Sequence, residues 1–169
     1  MKSYSQAIKI LKKSIITIGN EKIKSSESLN RVTATNIYLK EDYPLADNSS
    51  FDGYAIRSID TKNLSKSRKK LFKILGSIAA GDKPKNLKTK KFQTFEIMTG
   101  GLIPKGFDTI IPIEKVVFYP DKKKPRYIII DKKIKKLQHI RFKGSDFKKK
   151  DLLIKKGTII QSNHVLAFK

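Results

Sequence analysis

Between Leu71 and Ile160 the apolar residues fall in short runs, and proline or glycine punctuates nearly every one. Leu71 to Ala80 is interrupted by Gly76 and leads into a turn at Ala80-Gly81-Asp82-Lys83-Pro84. Asp108 to Val117, Arg126 to Ile130, Gln138 to Phe142 and Leu152 to Ile160 are set off by Pro120, Pro125, Gly144 and Gly157. Short extended runs bounded by residues that break regular pairing specify strands joined by turns, so the chain predicts a small β-rich barrel or sandwich. Phe92 to Met98 belongs to the same set, but its alternate residues do not separate into polar and apolar faces, which predicts a well-covered strand.

The N-terminal part differs. Ala7, Leu11, Ile15 and Ile18 repeat at three- and four-residue spacing after Ser3 and Ser5, either of which can cap a helix that Gly19-Asn20 would stop. With Ile8 the stripe is broad enough to face a core or a partner, ordinary packing being the favoured reading. Ser28 to Val32 can open a short helix, Asn36 to Leu39 reads as a strand, and Thr61 to Lys70 is a polar surface connection without periodicity. The fold class is therefore mixed α+β and predominantly β, with an N-terminal helix.

Composition bounds the function. At 169 residues the chain makes one domain or two small ones. No apolar run approaches the roughly 18–20 residues that cross a bilayer, so no membrane partner is expected. The N-terminus lacks the apolar core of a signal peptide, and with no cysteine the chain has neither disulfides nor thiolate metal sites, which fits a cytoplasmic location. His139 and His164 are too few and too isolated for a histidine metal centre. The formal charge of +23 invites a nucleic-acid reading. Nearly all of it is lysine, the less specific phosphate partner, and isoleucine and asparagine are abundant beside it, a bias typical of whole-genome composition. Residues 1–60 hold nine basic and seven acidic groups against twenty-nine and eight in 61–169, so the excess belongs to the second part. A solvated lysine surface is favoured over a dedicated nucleic-acid patch, although its field would help any anionic substrate.

Pro44 to Arg57 is the turn-rich, lysine-poor centre of the chain. Asp47, Asn48, Ser49 and Ser50 have short side chains that bond to nearby backbone groups, which predicts a rigid loop. Asp52-Gly53 offers a turn with a positive backbone angle at the glycine, and Tyr54 to Arg57 alternates as a strand, so Asp52 stands where a surface loop enters a strand. From the spacing alone a plain hairpin turn is the favoured reading of Asp52-Gly53, the commonest short hairpin signal.

A second stretch, Glu96-Ile97-Met98-Thr99-Gly100-Gly101-Leu102-Ile103-Pro104, is a strand-like run ending in a threonine and two glycines. Gly100 and Gly101 can bring backbone N–H groups close to an anion. Together the two stretches resemble the N-terminal part of the molybdopterin molybdenumtransferase family, the MoeA and gephyrin-type proteins. There a segment close to Asp-Asn-Ser-Ala-Met-Asp-Gly-Tyr-Ala is followed at about this distance by Ile-Met-Thr-Gly-Ala-Pro-Ile-Pro. The likeness extends to Leu29 through Ala34, to Gly76 and Ala80-Gly81, and to Ile140-Arg141 with Gly144 and Asp146. A turn held by an Arg–Asp contact explains the last group as well. Asn30 replaces a residue usually glycine, a change that asparagine absorbs because it tolerates left-handed angles. Phe51 stands for a common methionine, Ser50 for alanine, and Ala46 for a residue often aromatic.

The resemblance implies insertion of molybdate into adenylylated molybdopterin, assisted by Mg²⁺, by a homodimer. It implies catalytic roles for Asp52 and Thr99, and supporting substrate contacts at Asn48, Ser49, Gly100 and Gly101. It places the ligands of Mg²⁺ mostly in the family's C-terminal domain and assigns none in this chain; composition leaves no dedicated nucleic-acid partner expected. It also implies a β-rich unit, residues 51–136, inserted into a smaller unit made of 1–50 and 137–169. The helix start at Ser162 breaks off after about two turns and reads as a truncation. The family's C-terminal pterin-binding domain, with motifs of the Thr-Gly-Asp-Glu type, is absent from the sequence, so the chain alone is expected to be inactive. A lysine-rich nucleic-acid module and a non-catalytic scaffold fragment are the alternative readings.

Overall fold

The structure, a computed structural model, describes residues 3–14, 18–83 and 89–168. The chain divides into two compact units: residues 1–38 with 152–169, and residues 39–151, which are inserted between them in sequence. The inserted span is wider than the 51–136 expected from the resemblance. Backbone pairing shows why: Tyr43 bridges to Phe147, and Asn48-Ser49 pair with Arg141 and Ile140, so residues 39–50 and 137–151 bond to one another within the larger unit.

In the smaller unit, α1 (Tyr4–Lys13) is capped by Ser3, whose hydroxyl accepts from the Gln6 N–H while the Gln6 side chain accepts from the Ser3 N–H. The helix ends at Lys13, before Gly19-Asn20, where the Ser14 hydroxyl and amide both bond back to the Ile10 carbonyl. The predicted contact of its stripe with a core of this chain is not found: α1 has no buried residue, and Leu11 is 67% exposed. Ile15 lies outside the described residues. Asn30 adopts φ 63°, the left-handed angle that asparagine tolerates, and its N–H donates to the Ile160 carbonyl. β1 (Ile37–Tyr38) pairs antiparallel with the late strand Leu152–Ile154, and Thr33 is tied to Lys155 and Thr158 by its hydroxyl. The C-terminal helix Ser162–Ala167 is capped by Gln161, one residue earlier than predicted, with His164 Nδ1 accepting from the Gln161 N–H.

The larger unit contains β2 (Asn48–Ser49), β3 (Gly53–Ile56), β4 (Lys70–Ile78), β5 (Gln93–Ile97), β6 (Thr109–Pro112), β7 (Val117–Tyr119), β8 (Tyr127–Ile130) and β9 (Ile140–Arg141). Six of them form a sheet in the order β6-β3-β5-β4-β8-β7, with only β4 and β5 parallel. It curls into a half-barrel, so the chain is mostly β, as predicted. Gly76, with φ 153°, sits in a register irregularity of β4 between Ile74 and Ser77 and does not end the strand.

Alternation explains the core. Tyr54 and Ile56 pack with Phe72, Ile111, Ile128, Ile130 and Ile134 on one face, and Ala55 with Ile78, Phe95, Ile97, Phe107 and Ile110 on the other. All four residues of β3 are buried, as are those of β6, because both faces of the sheet are covered there. That is why the two faces of β5 do not separate by polarity. Its Thr94 is fully buried, with the hydroxyl donating to the Ala55 carbonyl at 2.8 Å.

Candidate functional site

Two loops, one ahead of β3 and one after β5, run side by side in the larger unit. The Ser49 N–H donates to the Gly101 carbonyl and the Gly100 N–H returns a bond to the Ser49 carbonyl, both at 2.9 Å; the Ile103 N–H donates to the Asp47 carbonyl at 3.1 Å. The first loop is braced from within as well. The Ser49 hydroxyl donates to the Phe51 carbonyl and accepts from the Phe51 N–H, a side-chain-closed turn of the kind serine favours. Asp47 accepts from the Lys143 N–H at 2.8 Å, tying the loop to a segment 96 residues away.

The glycine after Asp52 has a different purpose from the one the dipeptide suggests. Gly53 is not a left-handed turn residue and there is no hairpin: it opens β3, paired with β5 on one side and β6 on the other. A Cβ at this position would lie 2.1 Å from the Ile111 carbonyl oxygen, so only glycine lets the two backbones approach. The Asp52 carbonyl accepts from the Ile113 N–H at 3.0 Å, which fixes the residue at the start of β3.

Thr99, just past β5, meets Asp52 there. Its N–H donates to Asp52 Oδ1 at 2.6 Å and its hydroxyl to the same oxygen at 2.8 Å. Both residues are exposed. These two donors, backbone first, hold the Asp52 carboxyl below the usual carboxylate range, with partial desolvation opposing them. Among the described residues nothing donates to Asp52 Oδ2. The pair thus presents an ionised, oriented carboxylate with one oxygen saturated and one open.

The other candidates are built into the scaffold. Asn48 and Ser49 are buried, and the Asn48 amide donates to the Ala46 carbonyl at 3.3 Å. Gly100 takes φ 80° and spends its N–H on Ser49, while the Gly101 N–H donates to the Met98 carbonyl. Neither glycine amide is therefore left for an anion. At Gly101 a Cβ would sit 2.9 Å from that carbonyl oxygen, so the second glycine is a packing requirement. Arg141 forms an ion pair with Asp146 and lies 5.4 Å above the Tyr43 ring, and Asp146 titrates below its ordinary range because of that arginine. The turn is thus held by an Arg–Asp contact. The sequence reading missed His139 beside the loop, where its ring meets Phe51 edge-on with centroids 4.8 Å apart. Phe51 at a usual methionine position was the available signal.

Among the described residues no three His, Asp or Glu side chains gather as a metal site would require. No described helix is long and apolar enough to cross a membrane.

Residues 2–168 match the family model described as MoeA N-terminal region (domain I and II). Molybdopterin molybdenumtransferase from Staphylococcus epidermidis is 31% identical over 160 residues, which cover 95% of this chain and 37% of that protein. The enzyme of the same name from Staphylococcus aureus is 34% identical over 145 residues, covering 86% and 32%. The crystal structure of a molybdopterin biosynthesis MoeA protein from Pyrococcus horikoshii superposes with a TM-score of 0.82 at 30% identity, over 97% of this chain and 40% of that one. The chain thus spans about a third of the length of the curated relatives it matches.

Proposed function

This chain belongs to the family of MoeA N-terminal regions, and from that premise we propose that it forms the N-terminal portion of a molybdopterin molybdenumtransferase, acting on adenylylated molybdopterin and molybdate as part of a homodimer. The observation that supports the reading is the Asp52–Thr99 pair: residues 47 positions apart whose donors and acceptor converge at the exposed ends of two neighbouring strands, β3 and β5. Nothing in the packing of the core requires an exposed carboxylate to be held this way.

The chemistry follows from the charge state. An ionised carboxylate repels the molybdate dianion, so Asp52 does not bind the oxyanion directly. Its open Oδ2 is suited to accept a hydrogen bond from a pterin N–H or from the water that cleaves the adenylyl group, while Thr99 fixes its orientation. Asn48, Ser49, Gly100 and Gly101 act by holding the two loops together. The reading also implies Mg²⁺. Mg²⁺ takes one or two carboxylates beside substrate phosphates and water, so among the described residues Asp52, through its open Oδ2, is the group that would share such an ion with those phosphates, and no step is assigned to the metal.

A chimera joining this chain to the remainder of the Staphylococcus epidermidis relative tests the proposal. Given adenylylated molybdopterin, molybdate and Mg²⁺, the chimera should release molybdenum-loaded cofactor, and Asp52→Asn should slow it on the order of 100-fold with unchanged melting. The isolated chain should give no product. Full activity of the Asp52→Asn chimera, or turnover by the chain alone, would refute the reading.

A further inference from the structure

The larger unit carries an open pocket of about 290 Å³ beside the Phe51–Asp52 loop, independent of the pair just described. Its lining includes Lys115, Lys132, Lys133, Lys135 and His139, together with Pro112 at the end of β6. No carboxylate lines it; Glu114 and Asp131 are the sequence neighbours of Lys115 and Lys132 and are not part of the lining. Among the described residues none of these lysines is in an ion pair. Confined like charges in a concavity focus the field and attract a multiply charged anion more than scattered surface lysines do.

The backbone that presents them is held firmly. Ile134 is buried, and its N–H donates to the Thr61 hydroxyl at 2.9 Å; the buried Thr109 hydroxyl donates to the Lys135 carbonyl at 3.0 Å and accepts from the Gln138 N–H at 3.2 Å. The Leu137 N–H donates to the Asp108 carbonyl at 2.8 Å. Leu137 and His139 both sit at left-handed angles, φ 63° and 57°, a backbone cost for non-glycine residues that persists only where surroundings enforce it. A purely solvated lysine tract needs no such clamping. The lysine stems therefore leave a fixed platform, so that binding an anion orders the side chains alone and not the segment that carries them.

We propose that this pocket is a binding site for a small phosphate-bearing anion carrying several charges, a polyphosphate or the polyphosphate group of a nucleotide. It extends beyond the molybdenumtransferase reading and would stand if that reading failed.

Isothermal titration of the chain with tripolyphosphate and with ATP tests it. Both should bind, more weakly as salt rises, because screening acts on each contact. K132Q/K133Q/K135Q should weaken both by about tenfold or more. K122Q/K123Q/K124Q, which removes equal charge from the turn joining β7 and β8, should change them by less than about threefold. Tighter binding of ATP than of tripolyphosphate identifies the nucleotide as the ligand, and equal binding identifies the polyphosphate group alone. Equal loss in the two triple variants, or no binding of tripolyphosphate, overturns the proposal. The substituted lysines of both triples are exposed, and matching thermal melts of all three proteins exclude misfolding as the cause.

Discussion

Asp52 and Thr99 meet through a single carboxylate oxygen: the Thr99 amide and hydroxyl both donate to Asp52 Oδ1, at 2.6 and 2.8 Å. The geometry makes threonine's two donors act together, and it leaves the second carboxylate oxygen open. The closeness of the pair depends on the neighbouring loop contacts between Ser49 and residues Gly100 and Gly101.

Removing the hydroxyl while keeping the shape should be visible at Asp52. In Thr99→Val the Asp52 pKa should rise toward the ordinary carboxylate value, and in Thr99→Ser it should stay low; carboxyl ¹³C shifts followed through an acid titration report both. The sign is that of a depressed folded pKa. The bond's contribution is present above the unfolded value of about 3.9 and is lost as pH falls through the lower folded one. An unchanged pKa in Thr99→Val would remove the hydroxyl from the account.

Gly53→Ala should destabilise the larger unit by about 3 kcal/mol or more, since its Cβ would stand 2.1 Å from the backbone oxygen of Ile111 and the paired strand cannot yield. Gly19→Ala, with nothing within 4 Å of the new methyl, should fall within about 0.5 kcal/mol of the parent. Urea unfolding of the two variants decides whether close approach, and not turn geometry, is why glycine follows Asp52.

Phe72 is fully buried and packs edge-on to Phe92 at 5.5 Å. Phe72→Ala should cost about 3–5 kcal/mol, by lost burial and by the cavity left behind. Leu11→Ala on α1 should cost less than about 0.5 kcal/mol, because that side chain is 67% exposed. A large loss from Leu11→Ala would show that the helix stripe is covered in solution.

Burial, with a smaller contribution from the nearby Glu96 charge, pushes the Tyr54 phenol up to about 12. A raised folded pKa means the unfolded state ionises first. The tyrosine's contribution is therefore whole below the unfolded value of about 10 and is lost as pH climbs toward 12. In Tyr54→Phe the alkaline fall in stability between those limits should be shallower than in the parent. Identical alkaline limbs in the two proteins would place the fall elsewhere, among the lysines.

Much of this molecule follows from local chemistry. The β-rich class comes from short apolar runs closed by proline and glycine, since those residues interrupt pairing wherever they stand. The capping of α1 by Ser3 comes from a hydroxyl three residues ahead of a glutamine. The left-handed angle at Asn30 was accessible for the same reason: a short polar side chain tolerates it alone. The family likeness made Asp52 and Thr99 candidates because their motifs are contiguous in the chain.

Tertiary structure decided what those residues do. Gly53 looks like a turn glycine in sequence and is a strand glycine in space, because its requirement is imposed by Ile111, 58 positions away. Gly100 and Gly101 look like an anion nest, but their amides are consumed by Ser49 and Met98. The apolar stripe of α1 predicted a helix correctly and a covering core incorrectly: periodicity tells which residues share a face, and only packing tells what lies against it. Long-range hydrogen bonds and close backbone contacts join residues that the sequence keeps apart, so their outcome is carried by the whole fold and not by any window of the chain.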